Sequence, residues 1–192
     1  MPLSPGLHAS VKLVVSDAHE GLKAAIARVL GATWQRCRVH WMRNALAHVG
    51  KAQQSMASAA LRQAFLQPDQ ASARQTWRHV ADQLRPRWPK LGKLMDDSDD
   101  DVLAYMAFPA QHRTKLHSTN PLERLNKEVK RRADVVGIFP SEASIIRLIG
   151  AVLLEANDEW QMQHRYMGVE AMGEMLNPPP TNETLQLPPK AA

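Results

Sequence analysis

Val11-Lys12-Leu13-Val14-Val15-Ser16-Asp17 is a short β-branched run that ends in an acid, and Glu20 to Leu30 follows it with Leu22, Ala25, Ile26, Val29 and Leu30 on one helical face. The first segment has the pattern of a buried strand, and Gly31 stands where a helix takes its C-terminal cap. This strand-then-helix unit makes the chain α/β and puts Asp17 at the C-terminal edge of a strand. Arg36-Cys37-Arg38-Val39-His40-Trp41 alternates polar and apolar residues, which predicts a second, half-buried strand with Cys37 and Val39 inward and His40 on the polar side.

From Met42 to about Met106 the sequence is rich in Ala, Gln and Leu and reads as helices. Breaks are expected at Pro68, at Arg85-Pro86-Arg87-Trp88-Pro89 and at Asp96-Asp97-Ser98-Asp99-Asp100-Asp101. The aspartate run lacks the turn glycine and the bidentate glutamate of a calcium loop, so it reads as a solvated connection.

A further helix is expected in Asn120-Pro121-Leu122-Glu123-Arg124-Leu125-Asn126-Lys127-Glu128-Val129-Lys130-Arg131-Arg132. At helical spacing Glu123, Asn126, Lys127, Lys130 and Arg131 share one face, while Leu122, Leu125 and Val129 form an apolar stripe on another. One acid followed by Asn and cations suits a metal ion beside a phosphodiester backbone. The same residues also read as a capping box, with Asn120 as cap, Pro121 at the first position and Glu123 reaching back to the cap amide. Val135 to Ser141 makes a turn into an amphipathic helix from Glu142 to about Trp160, with Ile145, Leu148, Ile149, Val152, Leu153 and Trp160 expected inward. Residues 176–192 are Pro-rich, cannot pack a core and read as a disordered tail.

The charge is local. The chain carries +5, and residues 112–132 alone hold seven Lys or Arg against two Glu. Such a basic segment favours a polyanion, because neutralised phosphates release condensed counterions. A single cysteine excludes an intrachain disulfide and fits a reducing compartment. No apolar run approaches the roughly 18 residues of a membrane span, and Met1 to Gly6 has no leader pattern. The expected location is therefore cytoplasmic, at the nucleoid, with no membrane partner. Cys37 and His40 have the C-x-x-H spacing of half a zinc site, but no second cysteine completes a four-ligand structural site, so zinc is not expected.

Val14-Val15-Ser16-Asp17-Ala18-His19-Glu20-Gly21-Leu22-Lys23, Cys37-Arg38-Val39-His40-Trp41, Thr119-Asn120-Pro121-Leu122-Glu123-Arg124-Leu125-Asn126 and Val136-Gly137-Ile138-Phe139-Pro140-Ser141 occur in this order. Together they resemble the mutator-type transposases of bacterial insertion sequences, from about Val11 to about Met175. The resemblance implies a partial ribonuclease-H-like fold over 7–41 and 107–175, with a helical insertion over 42–106. It also implies DDE chemistry, in which three acids hold two divalent ions, Mg²⁺ or Mn²⁺, and cut and join DNA strands. Asp17 matches the second acid and Glu123 the last. Behind them stand His19, His40 and Asn126. Arg124, Lys127, Lys130 and Arg131 are the cations expected to meet transposon ends and target DNA. A two-metal centre requires the two carboxylates within roughly 10 Å of each other.

Family members carry their first acid on an earlier strand, after an end-binding region. Residues 1–16 contain neither Asp nor Glu. The chain is therefore expected to be the C-terminal part of such an enzyme, inactive alone and joined to copies of itself or to intact transposase. The alternative is a noncatalytic DNA-binding or transposase-pairing fragment that regulates the enzyme.

Overall fold

The structure, a computed structural model, describes residues 11–163 and residue 173. The proposed tail at 176–192 and the outer ends of the proposed catalytic domain lie outside the described residues. Strand β1 (Leu13–Ser16) leads into α1 (Glu20–Leu30), and strand β2 (Thr33–Arg36) leads into α2 (Arg38–Ala47). A helical block follows, with α3 (Gln54–Phe65), α4 (Gln70–Leu84), α5 (Pro89–Asp96) and α6 (Asp99–Leu103). The short α7 (Ala110–Leu116) then returns the chain to the sheet, and α8 (Asn120–Val136) and α9 (Glu142–Gln163) form a hairpin. Among the described residues the fold is predominantly helical, with one two-stranded parallel sheet in which Leu13 pairs with Thr33 and Ser16 with Arg36.

The first unit forms as its residues dictate. His19 is extended, and its Nδ1 accepts the Leu22 amide, satisfying one of the free donors of the first turn of α1. Gly31 closes the helix at φ +57°, a left-handed conformation in which a side chain is strained. β1 is half-buried along its length rather than buried, because in the described residues only β2 pairs with it.

The second strand differs from expectation. It spans Thr33–Arg36, and the alternating stretch from Arg36 to Trp41 is instead the end of that strand and the first turn of α2. Cys37, Trp41 and Ala45 are all fully buried, four residues apart. That spacing is the period of a helix face, and a six-residue window that alternates at period two satisfies both readings.

The core lies in the helical block rather than on the sheet. Trp41, Phe65 and Trp77 pack edge-to-face and tilted, with centroids 4.7 to 6.2 Å apart. Their polar atoms are satisfied: Trp41 Nε1 donates to Ser98 Oγ at 2.8 Å and Trp77 Nε1 to the Met95 carbonyl at 2.9 Å. Gln35, fully buried on β2, ties the sheet to this block. Its Nε2 donates to the carbonyls of Arg36 and Val102, and its Oε1 accepts the Tyr105 amide at 2.7 Å.

The aspartate run is only partly a solvated connection. Asp99, Asp100 and Asp101 form the first turn of α6, where the helix dipole favours acids, and Val102 and Leu103 bury its other end. Lys23 pairs with Asp101 at 2.7 Å, and Arg74 pairs with Asp100. α9 is covered on a narrower stripe than its pattern suggests. Val152 is buried and Leu148 and Ile149 are half-buried, but Ile145, Leu153 and Trp160 are exposed, because among the described residues α8 is the main element packed against it and shields one side.

Candidate metal and nucleic-acid site

Three chain segments meet at one point. The Cys37 amide donates to the Ser16 carbonyl at 2.8 Å, fixing the start of α2 to the end of β1. The Arg38 amide donates to the His117 carbonyl at 2.8 Å, fixing the same turn to the approach of α8. Backbone bonds of this kind position Asp17, Cys37, His40, Thr119 and Glu123 without relying on side-chain packing.

His40 stands between the two acids. Its Nδ1 lies 2.5 Å from Asp17 Oδ1 and its Nε2 lies 3.8 Å from Glu123 Oε1. The two nitrogens of an imidazole are about 2 Å apart, so these carboxylate oxygens are within roughly 8–9 Å of each other, inside the expected span. The Asp17 contact has the distance of an ion pair but not the direction of a hydrogen bond, and Nδ1 is enclosed without a hydrogen-bond partner. The distance establishes that His40 Nδ1 and Asp17 Oδ1 are in direct contact. Both carboxylates stay open to solvent, at 59% for Asp17 and 48% for Glu123, so a ligand can reach them.

Glu123 does not close a capping box. The carbonyl that accepts the first helical bond of α8, from the Glu123 amide at 3.0 Å, belongs to Thr119, which makes Thr119 the cap and moves Glu123 one position beyond the box. Glu123 Oε1 instead accepts the Thr119 hydroxyl at 2.6 Å. Thr119 Oγ1 is also 3.3 Å from Cys37 Sγ, and the Thr119 amide donates to the same sulfur at 3.5 Å. Sequence reasoning did not single out Thr119, although a hydroxyl residue just before Asn-Pro is a recognisable helix-start signal.

The other expected residues distribute as follows. His19 spends its Nδ1 on capping α1. Asn126, Arg124, Lys127 and Lys130 are exposed on α8, and an open groove beside Glu123 is lined by Asn120, Glu123, Arg124 and Lys127. Arg131 is exposed but engaged, with two hydrogen bonds to Glu128, which also accepts from Arg132. Those two guanidinium groups hold the Glu128 carboxyl down at about 2. At the joint itself, burial lowers the His117 pKa, so this ring favours its neutral form.

The description "Transposase, Mutator family" matches residues 5–163. The transposase for insertion sequence element IS1081 of Mycobacterium tuberculosis is 47% identical over 163 residues, covering 84% of this chain and 39% of that protein. The transposase for ISRM5 of Rhizobium meliloti is 38% identical, over 85% of this chain and 42% of its own length. The transposase for IS256 in transposon Tn4001 of Staphylococcus aureus is 39% identical, over 78% and 39% respectively. The chain thus spans about two fifths of the curated relatives it matches, and over that span it belongs to the Mutator family of transposases.

Proposed function

We propose that this chain supplies two of the three metal-binding acids of a DDE-type transposase, and that it acts in the transposition of an insertion sequence as the C-terminal part of a ribonuclease-H-like catalytic domain with residues 42–106 as its helical insertion. The observation that carries this reading is the convergence of Asp17 and Glu123 on the two nitrogens of one imidazole, from segments more than a hundred residues apart. Two solvent-open carboxylates at that spacing are the hard oxygen donors that Mg²⁺ or Mn²⁺ prefers. When bound, such ions activate the attacking oxygen and stabilise the leaving one during in-line displacement at phosphorus.

The protein's own part is positioning. Thr119 holds the Glu123 carboxylate through its hydroxyl, the β1 end carries Asp17, Arg124 and Lys127 line the groove beside Glu123, and Lys130 is exposed further along α8, where a DNA backbone would run. The third carboxylate and the recognition of transposon ends are assigned to the remaining length of a full transposase. The purified chain alone should therefore not cleave transposon-end DNA with Mn²⁺, and supplying the N-terminal part of a close relative, fused or in trans, should restore cleavage. Asp17→Asn and Glu123→Gln should each then abolish it. Restored cleavage that survives Glu123→Gln would refute the site. A chain that never supports cleavage but suppresses that of an intact relative would favour the noncatalytic, regulatory reading.

A further inference from the structure

Cys37, His40 and Asp17 bring one thiol, one imidazole and one carboxylate together with their donor atoms within 4.8 Å of one another. We infer that these three residues form a site for a borderline-soft divalent ion of the zinc type, distinct in chemistry from the hard-oxygen pair of Asp17 and Glu123. A thiol is a poor donor for Mg²⁺ but a strong one for Zn²⁺, which accepts Cys, His and Asp together, and three protein ligands leave a fourth position open for water. Tetrahedral Zn²⁺ holds its ligand atoms roughly 3–4 Å apart, so binding would part His40 Nδ1 and Asp17 Oδ1, now 2.5 Å apart, and draw in the rest of the cluster, each by about 1 Å.

The groups behind the ligands are already those of a metal centre. His40 Nδ1 is enclosed and lies 2.5 Å from Asp17 Oδ1, so the imidazole and the carboxylate already face one another where an ion would sit between them, while Nε2 lies 3.8 Å from Glu123 Oε1. A carboxylate behind a ligating histidine fixes its tautomer and raises its basicity. On the other side, the Thr119 amide reaches the Cys37 sulfur, and the Thr119 hydroxyl orients Glu123. Cys37 also sits at the N-terminus of α2, next to the backbone amides of its first turn. The thiol proton leaves to solvent as the ion binds, so binding strengthens with pH. Zn²⁺ bound here would turn the Asp17 carboxylate toward Cys37 and His40. Zn²⁺ at this site would withdraw from a Mg²⁺ or Mn²⁺ pair the carboxylate it needs, making zinc an antagonist of the hard-metal state.

This site stands on donor chemistry and does not require that the chain cut DNA. Its test is titration of the purified full chain with Co²⁺, read by absorption. Because Cys37 is the one cysteine in the sequence, a near-ultraviolet thiolate-to-cobalt charge-transfer band can only come from it. The expected result is that band, saturating at one ion per chain, bleached by Zn²⁺ but not by a large excess of Mg²⁺, and lost in Cys37→Ser. His40→Ala should weaken Co²⁺ binding tenfold or more. Co²⁺ binding without the charge-transfer band, or no binding at all, overturns the proposal, and the wild-type spectrum decides this even if a variant fails to fold. The band reports nothing about cleavage, so its absence would leave the two-acid transposase reading to its own test.

Discussion

Replacing Gln35 with leucine should unlock the sheet from the helical block. The two side chains are close in volume, so the change leaves little cavity. It removes the carboxamide that accepts the Tyr105 amide at 2.7 Å and donates to the Val102 carbonyl at 2.8 Å. Gln35 is fully buried, so water does not replace these partners. Each stranded buried group costs about 1–3 kcal/mol, which puts the loss for the two at about 2–6 kcal/mol. Against a total of roughly 5–15 kcal/mol this is a large fraction. With a urea slope of about 2 kcal/mol/M, the unfolding midpoint should fall by about 1–3 M. Tryptophan fluorescence is a suitable probe, since Trp41 and Trp77 lie at the centre of the core. Gln35→Glu is an informative companion. It keeps an acceptor for Tyr105 but sets a charge against the Val102 carbonyl, so it should be at least as damaging at neutral pH and partly recover in acid, where the protonated carboxyl can donate again. A Gln35→Leu midpoint within about 0.5 M of wild type, at an unchanged slope, would show that the lock carries no weight.

Two further outcomes follow from α8. In DNA binding, Lys127→Ala and Lys130→Ala should each reduce the slope of log K against log salt by about 0.9 for every phosphate that is no longer neutralised. Arg131→Ala should reduce it less, because that guanidinium already serves Glu128; equal slopes for all three variants would discount the pairing. The depressed Glu128 carboxyl contributes stability that is fully present above its ordinary value near 4.5 and is lost as pH falls toward about 2. Glu128→Gln should therefore flatten the acid limb of stability in that window, as followed by circular dichroism, and an unaltered limb would exclude the contribution.

The legible parts of the sequence were those with local causes. The α1 boundaries followed from an apolar face and a terminal glycine, and the acid after β1 followed from where a β-branched run stops. The start of α2 did not, because six residues cannot separate a strand from a helix turn: Trp41 is buried in the helical core, while Cys37 is buried against the end of β1 and Thr119. The exposure of Ile145, Leu153 and Trp160 was equally hidden: a helix pattern states which side is apolar, but not how much of it a neighbour covers. For the proposed site, Asp17 and Glu123 were singled out through the resemblance. The clustering of Cys37 with Asp17, and the part played by Thr119, depended on contacts as much as 82 residues apart in sequence. The spacing argument against zinc counts residues along the sequence, whereas the fold places Asp17, from another segment, beside Cys37 and His40.

The contact between Cys37 and Thr119 also sets a clock. A ribosome adding roughly 5–20 residues per second makes Cys37 about 4–16 s before Thr119. Through that interval Asp17, Cys37 and His40 exist without the segment that completes their surroundings. The intervening helices can close on local contacts in far less time, so they are folded and waiting when α8 emerges. A nascent chain stalled anywhere within the helical block would carry the strand-end acid Asp17 but not Glu123, so the proposed metal site would come into being only after the whole block had been synthesised.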